Sequence, residues 1–528
     1  LLVVKPTGNS SPYSRRRFGR DLLLTGASFG LLPAILRAQQ APSVIQSNRP
    51  LIQGGAMTGD ITGNSAVFWS RSDRPSTMLL ELSTTPKFEQ GRRIRGPVAL
   101  EDTEFTAKLT YGALPPGQTV FYRLAFEDLA DTNVISEPVT GFFRTPSIER
   151  RDVMFAWSGD TAGQGYGIDA SRGGMRTYEA IRKLQPDFFI HSGDTIYADN
   201  PIEAELKLDD GTTWKNLVTP AKSKVAETLS EFRGNHFYNL LDENVRRLYS
   251  EVPTYFQWDD HEVLNNWYPG RQMTEDKRYT VKSASLLAAR ARRAFFDCLP
   301  IRPHPLERIY RNIPYGPSLE LFFLDMRTYR GANSLNQQPE MDEASAFLGR
   351  QQLDELKRAL AASKATWKII CSDMPISLQC RDGKNSEAVA NGDGPALGRE
   401  LEIAELLRFL KERKIHNTVW ITTDVHHCSS IYHDPGKAVF QEFDPFWEFI
   451  SGPLHAGTFG PPAADNTFGP ETRFLGIPKG MKGNRPPSDG YQFFGTMKID
   501  GKTEELTVTH WDVNGKNLWN ITLPPKMA

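Results

Sequence analysis

Cysteine is scarce in this chain: 528 residues carry four, Cys298, Cys371, Cys380 and Cys428. That number excludes a disulfide scaffold, and no Cys-x-x-Cys pair offers a zinc knuckle. A bridge between Cys371 and Cys380 stays open. Net charge is nearly absent as well, with 62 Lys and Arg against 63 Asp and Glu and a balance of −1. No global field therefore draws the chain to nucleic acid or to an anionic membrane, and no nucleic-acid-specific binding is expected. Beyond the N-terminus no stretch reads as membrane-spanning, so no stable membrane anchor is expected. What remains is ordinary for a soluble enzyme: 39% apolar and 24% charged residues. The length allows roughly two to four domains with ample core.

The N-terminus reads as an address. Ser14-Arg15-Arg16-Arg17-Phe18-Gly19-Arg20 is a basic cluster, followed by an apolar, small-residue run over 22–36 and by Ala38 and Ala41 as cleavage-type residues. The run is short for a transmembrane helix of about 20 residues. Residues 1–41 are expected to be a signal peptide, and the arginine pair before Phe18 resembles a twin-arginine signal. This predicts export through the twin-arginine machinery to the periplasm or the medium. That route carries folded proteins, which suits a protein that loads metal first.

Residues 48–147 change character. The segments 65–70, 77–83, 104–110 and 119–126 are short and rich in β-formers, with turn residues such as Leu114-Pro115-Pro116-Gly117 between them. They predict a small antiparallel, immunoglobulin- or fibronectin-like sandwich, with Trp69 and Tyr122 as core residues. From 150 to 528 the pattern becomes strand then helix.

The stretch that organises this second region is Asp187-Phe-Phe-Ile-His-Ser-Gly-Asp194-Thr-Ile-Tyr197-Ala-Asp199, an apolar run that stops abruptly at Gly193-Asp194. Five more runs stop in the same way. Residues 153–158 lead to Gly159-Asp160, 252–257 to Trp258-Asp259-Asp260-His261-Glu262, 319–324 to Asp325, 366–371 to Asp373, and 418–423 to Asp424-Val425-His426-His427. Ligands of open α/β sheets bind beyond the carboxyl ends of strands. Carboxylates converging there repel one another unless cations neutralise them, which points to a multi-metal site.

Gly193-Asp-Thr-Ile-Tyr197, Trp258-Asp-Asp-His-Glu262, Leu324-Asp-Met-Arg-Thr-Tyr-Arg330 and Thr423-Asp-Val-His426 together resemble the calcineurin-like metallophosphoesterases, and within them the PhoD-type alkaline phosphatases and phosphodiesterases. The resemblance implies an α/β, four-layer sandwich of two mixed β-sheets flanked by helices, preceded by the all-β module. It implies that Asp160, Asp194, Tyr197 and His426 form a first metal site, with Asp194 bridging. Asp424 and Asp260 would serve a second, with Asn265 or Asn266 as the alternative to Asp260. His261 matches the His that contacts substrate or protonates the leaving oxygen, and hydrolysis by a metal-bound hydroxide follows. Arg327 and His455 are candidate substrate contacts. The family pattern carries Cys at the first-motif position, where this chain has Asp160. With Asp160, Tyr197 and His426 the first site is similar to that of purple acid phosphatases, which hold Fe3+ beside a Tyr. A second site built of oxygen suits Ca2+, Mn2+ or Mg2+.

Several residues carry a plainer reading. Gly234-Asn235-His236 spells a superfamily motif, but it lies in a charged, helix-like stretch. His191 sits inside a strand, and His427 should point away from His426. Asp325 and Asp373 are either ligands or loop-fixing residues. Residues 348–360 predict an outer helix. Residues 452–490, rich in Gly and Pro, read as a lid loop or as disorder, and 493–499 with 505–511 as a closing hairpin. The expected activity is phosphate ester hydrolysis by a monomer. A phospholipase D-like diesterase and a secreted, calcium-stabilised binding protein are the rival readings.

Overall fold

Strand Val153–Ser158 shows how the layers are built: Phe155 and Trp157 enter one core while Ala156 enters another. Side chains alternate across a strand, so an apolar run without polar interruptions needs cover on both faces. The computed structural model describes residues 48–526, and the expected signal segment 1–41 lies outside them. From Pro50 onward the described residues form one compact unit.

Two mixed sheets carry the second region. The six-stranded sheet runs Thr254–Gln257, Phe188–Ser192, Val153–Ser158, Phe493–Ile499, Leu506–Asp512, Asn517–Leu523, with the first three strands parallel. The seven-stranded sheet runs Arg311–Pro314, Leu319–Phe323, Trp367–Cys371, Thr418–Thr422, Phe446–Ile450, Ser429–His433, Pro470–Leu475, with four parallel strands from Leu319–Phe323 to Phe446–Ile450. Phe155, Trp157, Phe188 and Ile190 of one sheet share a core with Leu321, Ile369, Ile421 and Phe449 of the other. The outer face of the first sheet packs on helices Arg176–Leu184, Leu229–Asn239, Glu243–Glu251 and Ala284–Cys298. Helices Arg350–Ala362 and Glu400–Glu412 cover the second. The layers are helix, sheet, sheet, helix, as expected.

The N-terminal module is all β, with sheets of three strands and four. Three of its strands were not anticipated: Ile52–Gly59, Arg92–Ala99 and Val139–Arg144. The first contains the paired glycines Gly54 and Gly55 at positive φ and a register shift, and the second contains Gly96 and Pro97, so neither reads as a strand by propensity. Trp69 and Tyr122 are fully buried. Both also reach across to helices of the second region: the Trp69 indole donates to the Asp297 carbonyl at 2.7 Å and the Tyr122 hydroxyl to the Ser250 carbonyl at 3.0 Å. The four cysteines are free, so Cys371 and Cys380 form no bridge. Residues 452–490 are woven into the fold. Strand Pro470–Leu475 pairs with Ser429–His433, and the Ala162 N–H donates to the His455 carbonyl at 2.7 Å. Among the described residues no helix is long and apolar enough to cross a membrane.

Candidate metal centre

Asp160, Asp194, Asp424 and His426 share one backbone feature: each leaves its strand with φ between +49° and +65°, in the left-handed region. Non-glycine residues are held there at a cost and only where surrounding structure fixes them. The turn lets each strand end abruptly and swings its side chain over the sheet edge. Glycines leave room for this. A Cβ on Gly193 would stand 2.7 Å from the Asp373 carboxylate, one on Gly163 would stand 2.5 Å from the Tyr197 ring, and one on Gly452 would collide with Asp160.

Two three-residue groups bring possible ligand atoms within 4.8 Å of one another around Asp194: Asp160, Asp194 and His426, and Asp194, Asp260 and His261. Asp194 belongs to both. The Tyr197 hydroxyl lies 2.9 Å from His426 Nε2, and Asp160 Oδ1 lies 3.5 Å from the same nitrogen. His426 Nδ1 is fixed by the Gly457 carbonyl at 2.6 Å, which leaves Nε2 facing the carboxylates. Burial, then the charges of Asp259, Asp260 and Glu262, push Asp160 well above the usual carboxylate range. Asp194 is raised by burial and by Asp260 and Asp259, and Tyr197 by burial and by Asp194. Burial lowers His426 to about 3, so its imidazole is neutral and free to act as a ligand.

His261 is held by its other nitrogen. Nδ1 lies 2.6 Å from Asp199 Oδ1, Nε2 lies 3.9 Å from Asp260 Oδ1, and the Tyr197 ring is tilted against it at 4.1 Å. Burial alone would lower the imidazolium, but Asp199 and Asp260 outweigh it and push it up to about 9. The His261 N–H donates to Asp194 Oδ1 at 3.1 Å.

Asp424 is placed differently from the other expected ligands. It groups with Asp259 and Asp373, and also with Cys380 and Glu387. Asp373 and Asp424 are both raised by burial and neighbouring carboxylates. Asn265 is exposed at the rim, with its backbone N–H donating to Asp199 Oδ2 at 2.9 Å. The Asn266 N–H donates to Asp260 Oδ2 at 2.5 Å. Arg327 is fully buried and committed to Asp259 at 2.6 and 2.9 Å and to Glu387 at 2.8 Å. The His455 ring turns away from Asp160, with Nε2 2.9 Å from the Gly167 carbonyl and the ring against Trp214. His191 is a core histidine bonded to Thr161 Oγ1 at 3.0 Å, and Asn235 and His236 lie in helix Leu229–Asn239. His427 bonds back to the Val425 carbonyl at 3.0 Å, and His510 to Ser430 Oγ at 2.9 Å. Asp325 fixes its loop, accepting from Trp258 Nε1 and the Thr328 N–H.

Sequence reasoning missed Asp199, Asp259 and Glu387. For Asp259 the signal was present, because a doubled Asp between a strand and His261 offers two carboxylates at one strand end.

A family model described as "PhoD-like phosphatase" matches residues 155–510, and one described as "PhoD-like phosphatase, N-terminal domain" matches residues 38–147. Alkaline phosphatase D of Bacillus subtilis (strain 168) is 24% identical over 480 residues, covering 85% of this chain and 78% of that protein. Among solved structures, one of PhoD superposes with a TM-score of 0.64 at 20% identity, covering 86% of this chain and 85% of that one. The purple acid phosphatase PPD1 from yellow lupin (Lupinus luteus) seeds superposes with a TM-score of 0.55 at 12% identity, covering 90% and 74%. These two likenesses are of fold. The family match spans well over half of the sequence and falls on the layers that carry the converging carboxylates, so the chain belongs to the PhoD-like phosphatases and is a hydrolase of phosphoric esters.

Proposed function

We propose that this is an exported, metal-dependent alkaline phosphatase that hydrolyses phosphate mono- and diesters with cations held between Asp160, Asp194, Tyr197, Asp260 and His426. One observation carries the metal dependence. Both carboxylate oxygens of Asp160 are buried and neither has a hydrogen-bond partner. A carboxylate left so among other acids costs several kcal/mol unless it is neutralised. The donor set fits such an ion. Asp160, Asp194, Tyr197 and His426 would hold a hard ion such as Fe3+, since two carboxylates and a phenol oxygen dominate. Asp194 and Asp260 would face a second ion, for which oxygen donors suit Ca2+, Mn2+ or Mg2+. Asp424, with Asp259 and Asp373 beside it, adds negative charge at the same strand ends.

When bound, such cations lower the pKa of a water towards neutrality and offset charge on the phosphoryl oxygens. The chain supplies the orientation and the proton. Asp194, shared by both groups, fixes their spacing. Asp199 holds the His261 ring so that Nε2 faces the Asp194 and Asp260 side, from which a protonated imidazole would give its proton to the departing alkoxide. Arg327 holds Asp259 and Glu387 from behind. Export is read from the arginine pair and apolar run before residue 41, and the chain is taken to act as a monomer.

The test is turnover of a chromogenic phosphate monoester and the matching diester by metal-loaded wild type and by Asp194→Asn, with metal content measured on the same samples. Turnover of either ester by the wild type, with both turnover and bound metal lost in the variant, is expected. Turnover that persists in Asp194→Asn at reduced metal content overturns the reading.

A further inference from the structure

Every side chain of the first group is buried, as is Tyr197, so a substrate must reach them past the half-exposed residues that touch them. Two of them stand out among the described residues. Gln164 is half-exposed, hydrogen-bonds Tyr197 and accepts the Gly457 N–H at 3.3 Å. Phe459 is half-exposed and stands at 87° to the His426 ring with 5.4 Å between centroids. Of these two, Phe459 alone is apolar.

Phe459 is also held in place from several sides. Its N–H donates to the His426 carbonyl at 3.1 Å, while the preceding Thr458 pairs with Arg485 as an isolated bridge. Gly457, two residues back, accepts the His426 imidazole, so ligand and ring are set by one short segment. Gly483, which has no side chain, lies close against the ring: a Cβ there would stand 3.0 Å from Phe459 Cδ1. A flat apolar surface fixed beside an ionic site does nothing for the phosphoryl group, which is charged. It does suit the other half of an ester.

We propose that Phe459 is a specificity-determining residue that packs against the leaving group, and that it favours phosphate esters whose alcohol carries a flat aromatic ring. The inference rests on the phosphoesterase reading of the same site. Aromatic rings prefer edge-to-face or offset contacts; the Phe459 ring already makes one with His426, and the part of it that stays exposed can meet a planar partner. The Gln164 amide, bonded to Tyr197 and to the Gly457 N–H, supplies a polar group close by.

The experiment compares phenyl phosphate with glycerol phosphate as substrates of the wild type, Phe459→Leu and Phe459→Ala, with metal content measured in each. The quantity read is the ratio of kcat/KM for the aryl ester to that for the alkyl ester. We expect the ratio to fall about three- to tenfold in both variants, through KM of the aryl ester, the range that one aromatic contact provides. Phe459→Leu keeps the apolar bulk and guards against a collapse of the segment. An unchanged ratio overturns the inference, including the case in which both esters slow together because metal is lost from His426. If the wild type turns over neither ester, the phosphoesterase reading falls and this inference with it; an unchanged ratio with active wild type removes only the role of Phe459.

Discussion

Asp199 and His261 face each other at 2.6 Å, carboxylate Oδ1 to imidazole Nδ1, and both are buried. The Asn265 N–H holds the second Asp199 oxygen at 2.9 Å, so the carboxylate cannot swing away. Contact with His261 brings Asp199 below the usual carboxylate range in spite of its burial, and the same contact, with the charge of Asp260, raises His261 to about 9. Asp199→Asn should therefore return the imidazole of the metal-free protein to its ordinary range or below it. Imidazole titration by NMR reads this directly. Turnover should fall roughly tenfold or more, as when an outer partner of a site histidine is lost. A His261 titration that stays near 9 in the variant would remove Asp199 from this role.

The crowded carboxylates make the metal-free protein sensitive to alkali. Asp160, Asp194, Asp373 and Asp424 are each raised above 3.8 in the fold. Above that value the unfolded chain releases these protons while the folded chain keeps them, so the unfolded state binds fewer protons and stability falls as pH rises. A bound cation replaces those protons and cancels the slope. With chelator present, and above the range in which the buried neutral histidines titrate in the unfolded chain, the thermal midpoint should be lower at about pH 9 than at about pH 7, and the gap to the metal-loaded protein should widen with pH. A chelated protein as stable at the higher pH as at the lower would contradict the placement of these groups.

Much of this was legible because the physics is local. Val153–Ser158, Phe188–Ser192 and Thr418–Thr422 are apolar on both faces and stop at an Asp, so both burial and strand end can be read from the run itself. Asp160, Asp194, Tyr197, Asp260, His261 and His426 all sit on or just past such stops, and they come together. Asp199 could not be ranked in this way, because it lies in the loop beyond Asp194 with no strand to aim it; only its contact with His261 does so. Direction was likewise hidden for His455 and Arg327. His455 lies on the segment whose backbone pairs with Thr161, yet its ring points to Gly167. Arg327 follows a strand end as a phosphate-binding residue would, but the buried Asp259 and Glu387 claim all of it. Neither partner is near it in sequence.

Arg327 decides how firmly that buried frame is held. Its guanidinium is fully buried and donates to Asp259 through two nitrogens and to Glu387 through a third. These contacts bring Asp259 below the usual carboxylate range although burial acts the other way. Removing the cation leaves two buried carboxylates facing each other's charge, and such a break costs about 3–5 kcal/mol. Arg327→Met should lose that much in a denaturant titration of the metal-loaded protein. Arg327→Lys should recover less than half of the loss, because an ammonium is a point donor that cannot fork to one carboxylate while reaching another. The alternative role for this residue, direct contact with substrate phosphate, predicts the reverse pattern: KM would rise several-fold while unfolding stayed put. Stability and KM measured on the same two variants separate a frame from a contact, and the enclosed position of the guanidinium favours the frame.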